Sequence, residues 1–320
     1  MRLIVAAFLI ISFNALSQTD TVKLSSDIWP PFTNVENKRS IAFEIVAKAL
    51  ERINIKAVYE IVDFGDVISG INEGLFDGSA ALWISEERKK ILLFSDAYLQ
   101  NQLVLVGRKG SAIDISSFSE LKNKRIGVIE DYAYGDSLKI VEGIEIVYGK
   151  NDQRNLERLL SRQLDYILVD ALLVQYLLKY QLSDVREFLE IGGHPLITKT
   201  LHLAIKKDIP DAERIIKLFN NEINSMILDG SYNEILELNW IRADIDGDNN
   251  FELVLLGSEA GLEAPGNAYN VFYTQPGNFS DRYFINGKFY NDWGDVPEQI
   301  KIPKVSAPPD PGKGELKIKF

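Results

Sequence analysis

The chain contains no cysteine. Disulfides, thiolate chemistry, Cys-ligated metals and lipid attachment through cysteine are thereby excluded. Histidine is almost missing too, with His194 and His202 the two examples. That leaves little room for His-based catalytic triads or a His-rich metal site. Both histidines are expected to be structural. Excess positive charge is also lacking: 35 Lys and Arg stand against 46 Asp and Glu, for a net charge of −11. Nucleic acid and anionic membrane surfaces need clustered basic residues, so neither is an expected partner. Long apolar runs are absent beyond the N-terminus, and membrane insertion is not expected. Leu3 to Phe13 is apolar but too short for a span. No internal repeat is visible.

The N-terminus has the layout of a secretory signal. Arg2 supplies a basic start, the apolar run follows, and Ala15-Leu16-Ser17 offers small residues for cleavage before Gln18. Residues 1–17 are thus expected to be removed, with an uncut anchor helix as the alternative. Without a cysteine to lipidate, the expected destination is a Gram-negative periplasm.

The remaining composition is that of a globular protein, 46% hydrophobic and 25% charged. Strand and helix patterns alternate along it. Val22–Ser26, Ala57–Val62, Ser79–Ile84 and Gln102–Val106 read as strands. Ile41 to Ile53 carries one apolar helical face, and Val67, Ile68, Ile71 and Leu75 a second. A further block starts with the strand Arg125–Ile129 and a helix after Gly135. It continues with a Leu156–Leu164 helix face, the strand Tyr166–Val169 and the helix Leu172–Tyr180. Leu201–Ile205 reads as a strand. A long helix starts near Asp208-Ile209-Pro210, with Asp208 as a possible N-cap. A last helix, Ser231–Leu238, ends at Trp240. Two blocks of βαβ alternation predict an α/β protein of two lobes. Beyond Trp240 the chain is rich in Gly, Pro, Asn and aromatics. A small β-rich or irregular appendix over residues 241–320 is expected, closed by a Pro/Gly stretch and a short strand.

Several pieces stand in a telling order. Trp29-Pro30-Pro31-Phe32 follows the first strand, and Ala42-Phe43-Glu44-Ile45 opens the first helix. Gly74-Leu75-Phe76-Asp77 precedes the third strand. Ser85-Glu86-Glu87-Arg88-Lys89-Lys90 leads into Phe94-Ser95-Asp96-Ala97-Tyr98. Gln163-Leu164-Asp165-Tyr166, Val169-Asp170 and Asp229-Gly230-Ser231-Tyr232 complete the series. From about Val22 to Trp240 the chain resembles type II periplasmic solute-binding proteins, and more closely the polar amino-acid binding family of ABC importers. The resemblance implies the type II periplasmic binding protein fold. Lobe 1 would comprise residues 20–106 and 197–240, and lobe 2 residues 107–196.

It further implies that Arg88 binds a ligand carboxylate, for which a planar guanidinium fork is suited. Asp170 would bind the amino group, or merely cap the helix that follows it. Trp29 would cover the ligand or serve the core, with Glu44 and Ser85 nearby. Small polar residues usual in the family are replaced by Ala81 and Trp83. Glu130-Asp131-Tyr132-Ala133-Tyr134-Gly135 replaces a Gly-Ser/Thr helix start. Trp29, Trp83, Tyr132 and Tyr134 therefore point to an aromatic-rich site, suited to an aromatic, cationic or larger ligand. The implied partner is an ABC permease, or else a membrane sensor, with the protein itself a monomer. No functional cofactor is expected. Cyclohexadienyl dehydratases share the fold, so a carboxylate enzyme using Glu130 or Asp131 is the alternative.

A second informative stretch is Asp244-Ile245-Asp246-Gly247-Asp248-Asn249-Asn250-Phe251-Glu252. Asp244, Asp246, Asp248 and Glu252 offer alternating oxygens around a turn glycine, a pattern suited to Ca²⁺. It resembles FG-GAP and dockerin loops and departs from the EF-hand, since Leu255 stands where a bidentate Glu would be. A structural Ca²⁺ pinning the appendix to the lobes is the expectation, and a plain Asx-rich turn the alternative.

Overall fold

A computed structural model describes residues 20–135, 138, 142–180, 183–256, 260–265, 268–270 and 278–301. The expected signal segment, the Pro/Gly stretch and the expected terminal strand lie outside the described residues, as does most of the helix expected after Gly135.

Strand β1 (Asp20–Ser26), helix α1 (Ile41–Arg52) and strand β2 (Ile55–Ile61) form the first unit, with Val22 beside Ala57 in a parallel pairing. Helix α1 buries Ile41, Ile45, Val46, Ala49 and Leu50, the spacing of one helical face. Helix α2 (Phe64–Glu73) stops at Gly74, whose left-handed backbone (φ 78°) favours a residue without Cβ. Leu75 falls past that stop and is exposed, so it is not part of the helix face the periodicity suggests. Strands β3 (Gly78–Leu82), β4 (Leu92–Phe94) and β5 (Leu99–Arg108) follow. At Gly78 a Cβ would collide with the Ala204 carbonyl, so glycine is what lets β3 approach its neighbour.

The next block holds β6 (Arg125–Ile129), β7 (Glu145–Gly149), α3 (Asp152–Leu160), β8 (Tyr166–Asp170), α4 (Ala171–Tyr180) and β9 (Leu189–Ile191). Strand β10 (Ile197–Lys206) returns, and α5 (Ala212–Asp229) and α6 (Ser231–Leu236) close the block. Helix α5 starts after Asp211 rather than at Asp208, whose carboxylate instead pairs with Lys206 at 3.2 Å. The strand order is β2-β1-β3-β10-β5-β8-β6-β7, with β4 also on β10 and β9 on β5.

This sheet has two halves, and β10 belongs to both. Its first residues pair with β5 (Ile197 beside Leu103, Leu201 beside Leu99), its last with β3 and β4. The two segments that cross between the halves are bonded to each other: Ser95 N–H donates to Leu203 O at 2.9 Å and Tyr98 N–H to Leu201 O at 3.1 Å. His202, buried in β10, lies 2.8 Å from Ser95 O and 2.8 Å from Thr200 Oγ1. The fold is thus the two-lobed α/β architecture expected.

The appendix is a second sheet of five strands, ordered β13-β11-β12-β14-β15. These are β11 (Trp240–Ala243), β12 (Asn250–Leu255), β13 (Tyr269–Asn270), β14 (Asn278–Ile285) and β15 (Lys288–Tyr290). Trp240 opens a strand here instead of ending a helix. Period-two alternation gives the sheet two apolar faces. Ile241, Ala243, Val254 and Phe284 join the main core, while Trp240, Leu253, Leu255 and Ile285 form a small core of their own. Apolar packing therefore ties the appendix to the rest of the molecule.

Candidate ligand cleft

In an open α/β sheet, ligands bind beyond the carboxyl ends of parallel strands, where loops diverge. Those ends gather the residues of interest here. Asp27 and Trp29 follow β1, Phe64 follows β2, and Trp83 to Arg88 follow β3. Glu130 to Tyr134 follow β6, and Asp170 ends β8. Between them runs a cleft of about 1170 Å³, lined by Ser69 of α2, Ser85 to Arg88, Glu130 to Gly135, Tyr148 and Lys199.

Arg88 sits in a short 3-10 turn and is 7% exposed. Ser85 Oγ accepts its backbone N–H at 3.2 Å. Its Nη1 donates to Trp83 O at 2.8 Å, and its Nη2 reaches the other half of the sheet, donating to Asp131 O at 2.9 Å. The guanidinium lies 5.3 Å from the Phe64 ring centroid. Burial pulls its pKa below the ordinary value, opposed by Tyr132 and Asp131. An arginine stays charged regardless, so a cation is held where water is scarce, with carbonyl oxygens accepting its hydrogen bonds. Its neighbours Glu86, Glu87, Lys89 and Lys90 are exposed, and Glu86 pairs with Lys89 at 2.8 Å.

Around Arg88 stands a cluster of rings. Tyr132 lies 4.5 Å from Phe64, 5.2 Å from Trp83 and 6.2 Å from Trp29, edge-on to each. Such edge-to-face contacts match the ring quadrupoles. Trp83 Nε1 donates to Asn101 Oδ1 at 3.0 Å, which fixes the indole. Tyr134 is buried and its hydroxyl accepts the Ile129 N–H at 2.9 Å, so it braces β6. The void left among Asp27, Trp29, Phe64, Ala81, Trp83, Arg88 and Tyr132 is only about 10 Å³, room for one water at most.

Three carboxyl groups flank this cluster. Asp27 accepts the Tyr132 hydroxyl at 2.7 Å, yet burial pushes its pKa up to about 6. Asp152, at the start of α3, is raised to about 7, by burial first and then by Asp27 and Asp170. Asp170 is almost fully buried and also raised to about 6 by burial. Its Oδ1 accepts from Leu172 N at 2.8 Å and Leu173 N at 3.1 Å, capping α4, while Oδ2 has no hydrogen-bond partner among the described residues. Lys199 of β10 places its ammonium 5.6 Å from the Trp83 ring, and burial lowers its pKa.

Trp29, Trp83, Ser85, Arg88, Tyr132 and Tyr134 are brought together, with Asp170 close enough to act electrostatically on Asp152. Glu44 stands apart: its Oε1 accepts the Ser40 N–H at 2.9 Å and it serves the start of α1. Lys199 lines the cleft as well, Asp27 and Phe64 line the small void beside it, and Asp152 feels Asp27 and Asp170 electrostatically. The sequence gives one hint of them, the carboxylate two residues before Trp29.

In the acidic loop, carboxylate oxygens of Asp244, Asp246 and Glu252 lie within 4.8 Å of one another. Asp248 turns toward the Asn250 N–H, at 2.8 Å. Arg282 enters the group, its Nη2 donating to Asp246 Oδ2 at 3.0 Å, to Asp248 Oδ2 at 3.4 Å and to buried Glu252. These oxygens suit a hard cation, and Arg282 already supplies positive charge among them.

Among the described residues no helix is long and apolar enough to cross a membrane. The L-cystine-binding protein TcyJ of Escherichia coli K12 is 28% identical over 163 residues, which is 51% of this chain and 58% of that protein. The ABC transporter glutamine-binding protein GlnH of Bacillus subtilis is 25% identical over 200 residues, 62% of this chain and 70% of its own. The match thus spans little more than half of the cystine-binding relative. Among solved structures, an ancestral arginine-binding protein bound to arginine superposes with a TM-score of 0.59 at 24% identity, over 68% of this chain and 96% of its own. The ligand-binding core of GluR0 from Nostoc punctiforme, in complex with L-glutamate, gives 0.56 at 18%, over 68% and 97%. These structures share the fold. The model for bacterial extracellular solute-binding proteins, family 3, matches residues 23–242, more than half of the chain, and the protein belongs to that family.

Proposed function

We propose that the protein captures a small carboxylate-bearing solute, amino-acid-like or aromatic, between its two lobes and presents it to an ABC importer. The observation that carries this reading is Arg88: a buried, permanently charged fork at the seam of the sheet halves, hydrogen-bonded to carbonyls and, among the described residues, paired with no carboxylate in direct contact. A ligand carboxylate there gains two charge-assisted hydrogen bonds. The raised carboxyls of Asp27, Asp152 and Asp170 gain from a ligand cation or donor placed opposite. Closure by hinge motion would use the crossing segments around Ser95 and His202. The relatives named for cystine and glutamine support the solute class, and the N-terminal pattern supports export to the periplasm through a cleaved signal.

The experiment is a thermal-shift panel of amino acids, amines and aromatic acids. A solute that binds only the native state raises the melting temperature by mass action. A carboxylate solute that does so, and fails with Arg88→Ala, supports capture. A panel with no shift contradicts it. Three raised carboxyls, with Asp152 acted on by both Asp27 and Asp170, also favour a second reading, a dehydratase that uses a protonated acid near neutral pH. Turnover of prephenate would support it.

We further propose that Asp244, Asp246 and Glu252 hold a structural Ca²⁺ when Arg282 swings aside. No step of solute capture passes through it.

A further inference from the structure

The loop after β6 does more than line the cleft. Its Asp131 carbonyl takes one Nη2 hydrogen bond of Arg88, at 2.9 Å. The next residue, Tyr132, sends its ring among Trp29, Phe64 and Trp83 and its hydroxyl to Asp27 Oδ2, at 2.7 Å. Asp131 and Tyr132 lie in one half of the sheet's loops; Asp27, Trp29, Phe64, Trp83 and Arg88 lie in the other. An oxygen acceptor, an aromatic ring and a phenolic donor, covalently joined in that order, fill a pocket from which only about 10 Å³ is left.

A side chain that fills a site reports the chemistry the site accepts. The acceptor end meets a guanidinium, which prefers a carboxylate to a neutral carbonyl. The ring end meets three aromatic faces and edges. The far end meets a carboxylate that needs a donor, because a buried acceptor left bare is costly. We infer that the pocket bounded by Asp27, Trp29, Phe64, Trp83 and Arg88 is a subsite for a hydroxyaryl carboxylate, and that Tyr132 is its built-in occupant, displaced when such a ligand enters. The inference rests on the solute-capture reading above. It makes Asp27 the residue that selects for the ligand hydroxyl, and Tyr132 a competitor that weakens binding.

The test is calorimetric titration of the full chain with two matched pairs. These are L-tyrosine with L-phenylalanine, and 3-(4-hydroxyphenyl)propanoate with 3-phenylpropanoate. A site built to hydrogen-bond a hydroxyl rejects the analogue lacking it. The hydroxylated member of a pair should bind at least about ten-fold tighter. Asp27→Ala, which removes the acceptor, should erase that preference. Tyr132→Phe, which keeps the ring and loses the bond to Asp27, should bind the hydroxylated ligand several-fold tighter than the unaltered protein, and Tyr132→Ala tighter still. Equal affinities within both pairs would overturn the role of Asp27. Unchanged or weaker binding by both Tyr132 variants would overturn the occupant. If an aliphatic amino acid binds in an Arg88-dependent way while all four aryl carboxylates fail, this inference falls and solute capture stands. If no carboxylate solute binds at all, both fall.

Discussion

Two arginines illustrate how a residue's environment decides its part. Arg88 is held by carbonyls and rings, Arg282 by carboxylates. Replacing Arg88 by Lys keeps the charge but removes the fork, so one point cannot reach both Trp83 O and Asp131 O. Ligand affinity is expected to fall by roughly ten- to a hundred-fold, the worth of one charge-assisted bond of about 1.5–3 kcal/mol. Titration of the Arg88→Lys protein checks this; unchanged affinity would mean that Arg88 only braces the loops. Arg282→Ala leaves Glu252 buried without its cation. A destabilisation of about 1–3 kcal/mol is expected in urea unfolding, the cost of leaving a buried acceptor without its partner. If the loop binds Ca²⁺, millimolar Ca²⁺ restores most of that loss; no restoration would count against the metal.

At the scale of elements, the crossing segments are the place to look for motion. His202 joins Ser95 and Thr200 at the point where β10 passes from one half of the sheet to the other. His202→Ala is expected to cost about 1–3 kcal/mol, since buried polar atoms lose their partners. Amide exchange should quicken first at Ser95, Tyr98 and Leu203, whose bonds tie the two crossings. Uniform quickening across the sheet would mean that the crossing is no local hinge.

The sequence pattern made α1 and α5 legible because each lays an unbroken apolar stripe on the sheet. It missed β7, whose residues are mostly half-exposed or exposed, and β9, which is three residues long and owes its form to β5. It overextended α2 to Leu75, since apolar spacing continues past the glycine that ends the helix. In the cleft, Arg88 stood out through its motif. Phe64, Asp152 and Lys199 carry no local signal, because elements far apart in sequence, two helix starts and β10, supply them. Glu44 looked like a site residue and serves a helix start instead, a use of acidic residues that spacing alone does not separate from ligand binding.

For the whole molecule, the raised carboxyls set a pH dependence. Asp27, Asp152 and Asp170 have an ordinary value of 3.8 and are raised to about 6, 7 and 6. The native state therefore holds these protons more tightly than the unfolded chain. Their contribution to stability is full below about pH 4 and is lost as the pH rises through 6 to 7. The ligand-free protein should melt at a lower temperature at pH 8 than at pH 5.5, and Asp152→Asn should flatten the difference. A cationic or donor-bearing ligand would draw the three values down and release protons on binding near pH 6. Calorimetry in buffers of different ionisation enthalpy would detect that release, and its absence would place the ligand away from these groups.

The central claim is that Arg88 holds a solute carboxylate between the two lobes. The most direct measurement is titration calorimetry of the solute giving the largest thermal shift, run on the unaltered protein and on Arg88→Ala, with circular dichroism confirming that both are folded. The account predicts saturable binding that disappears in the variant. Equal affinity in the two proteins would contradict it.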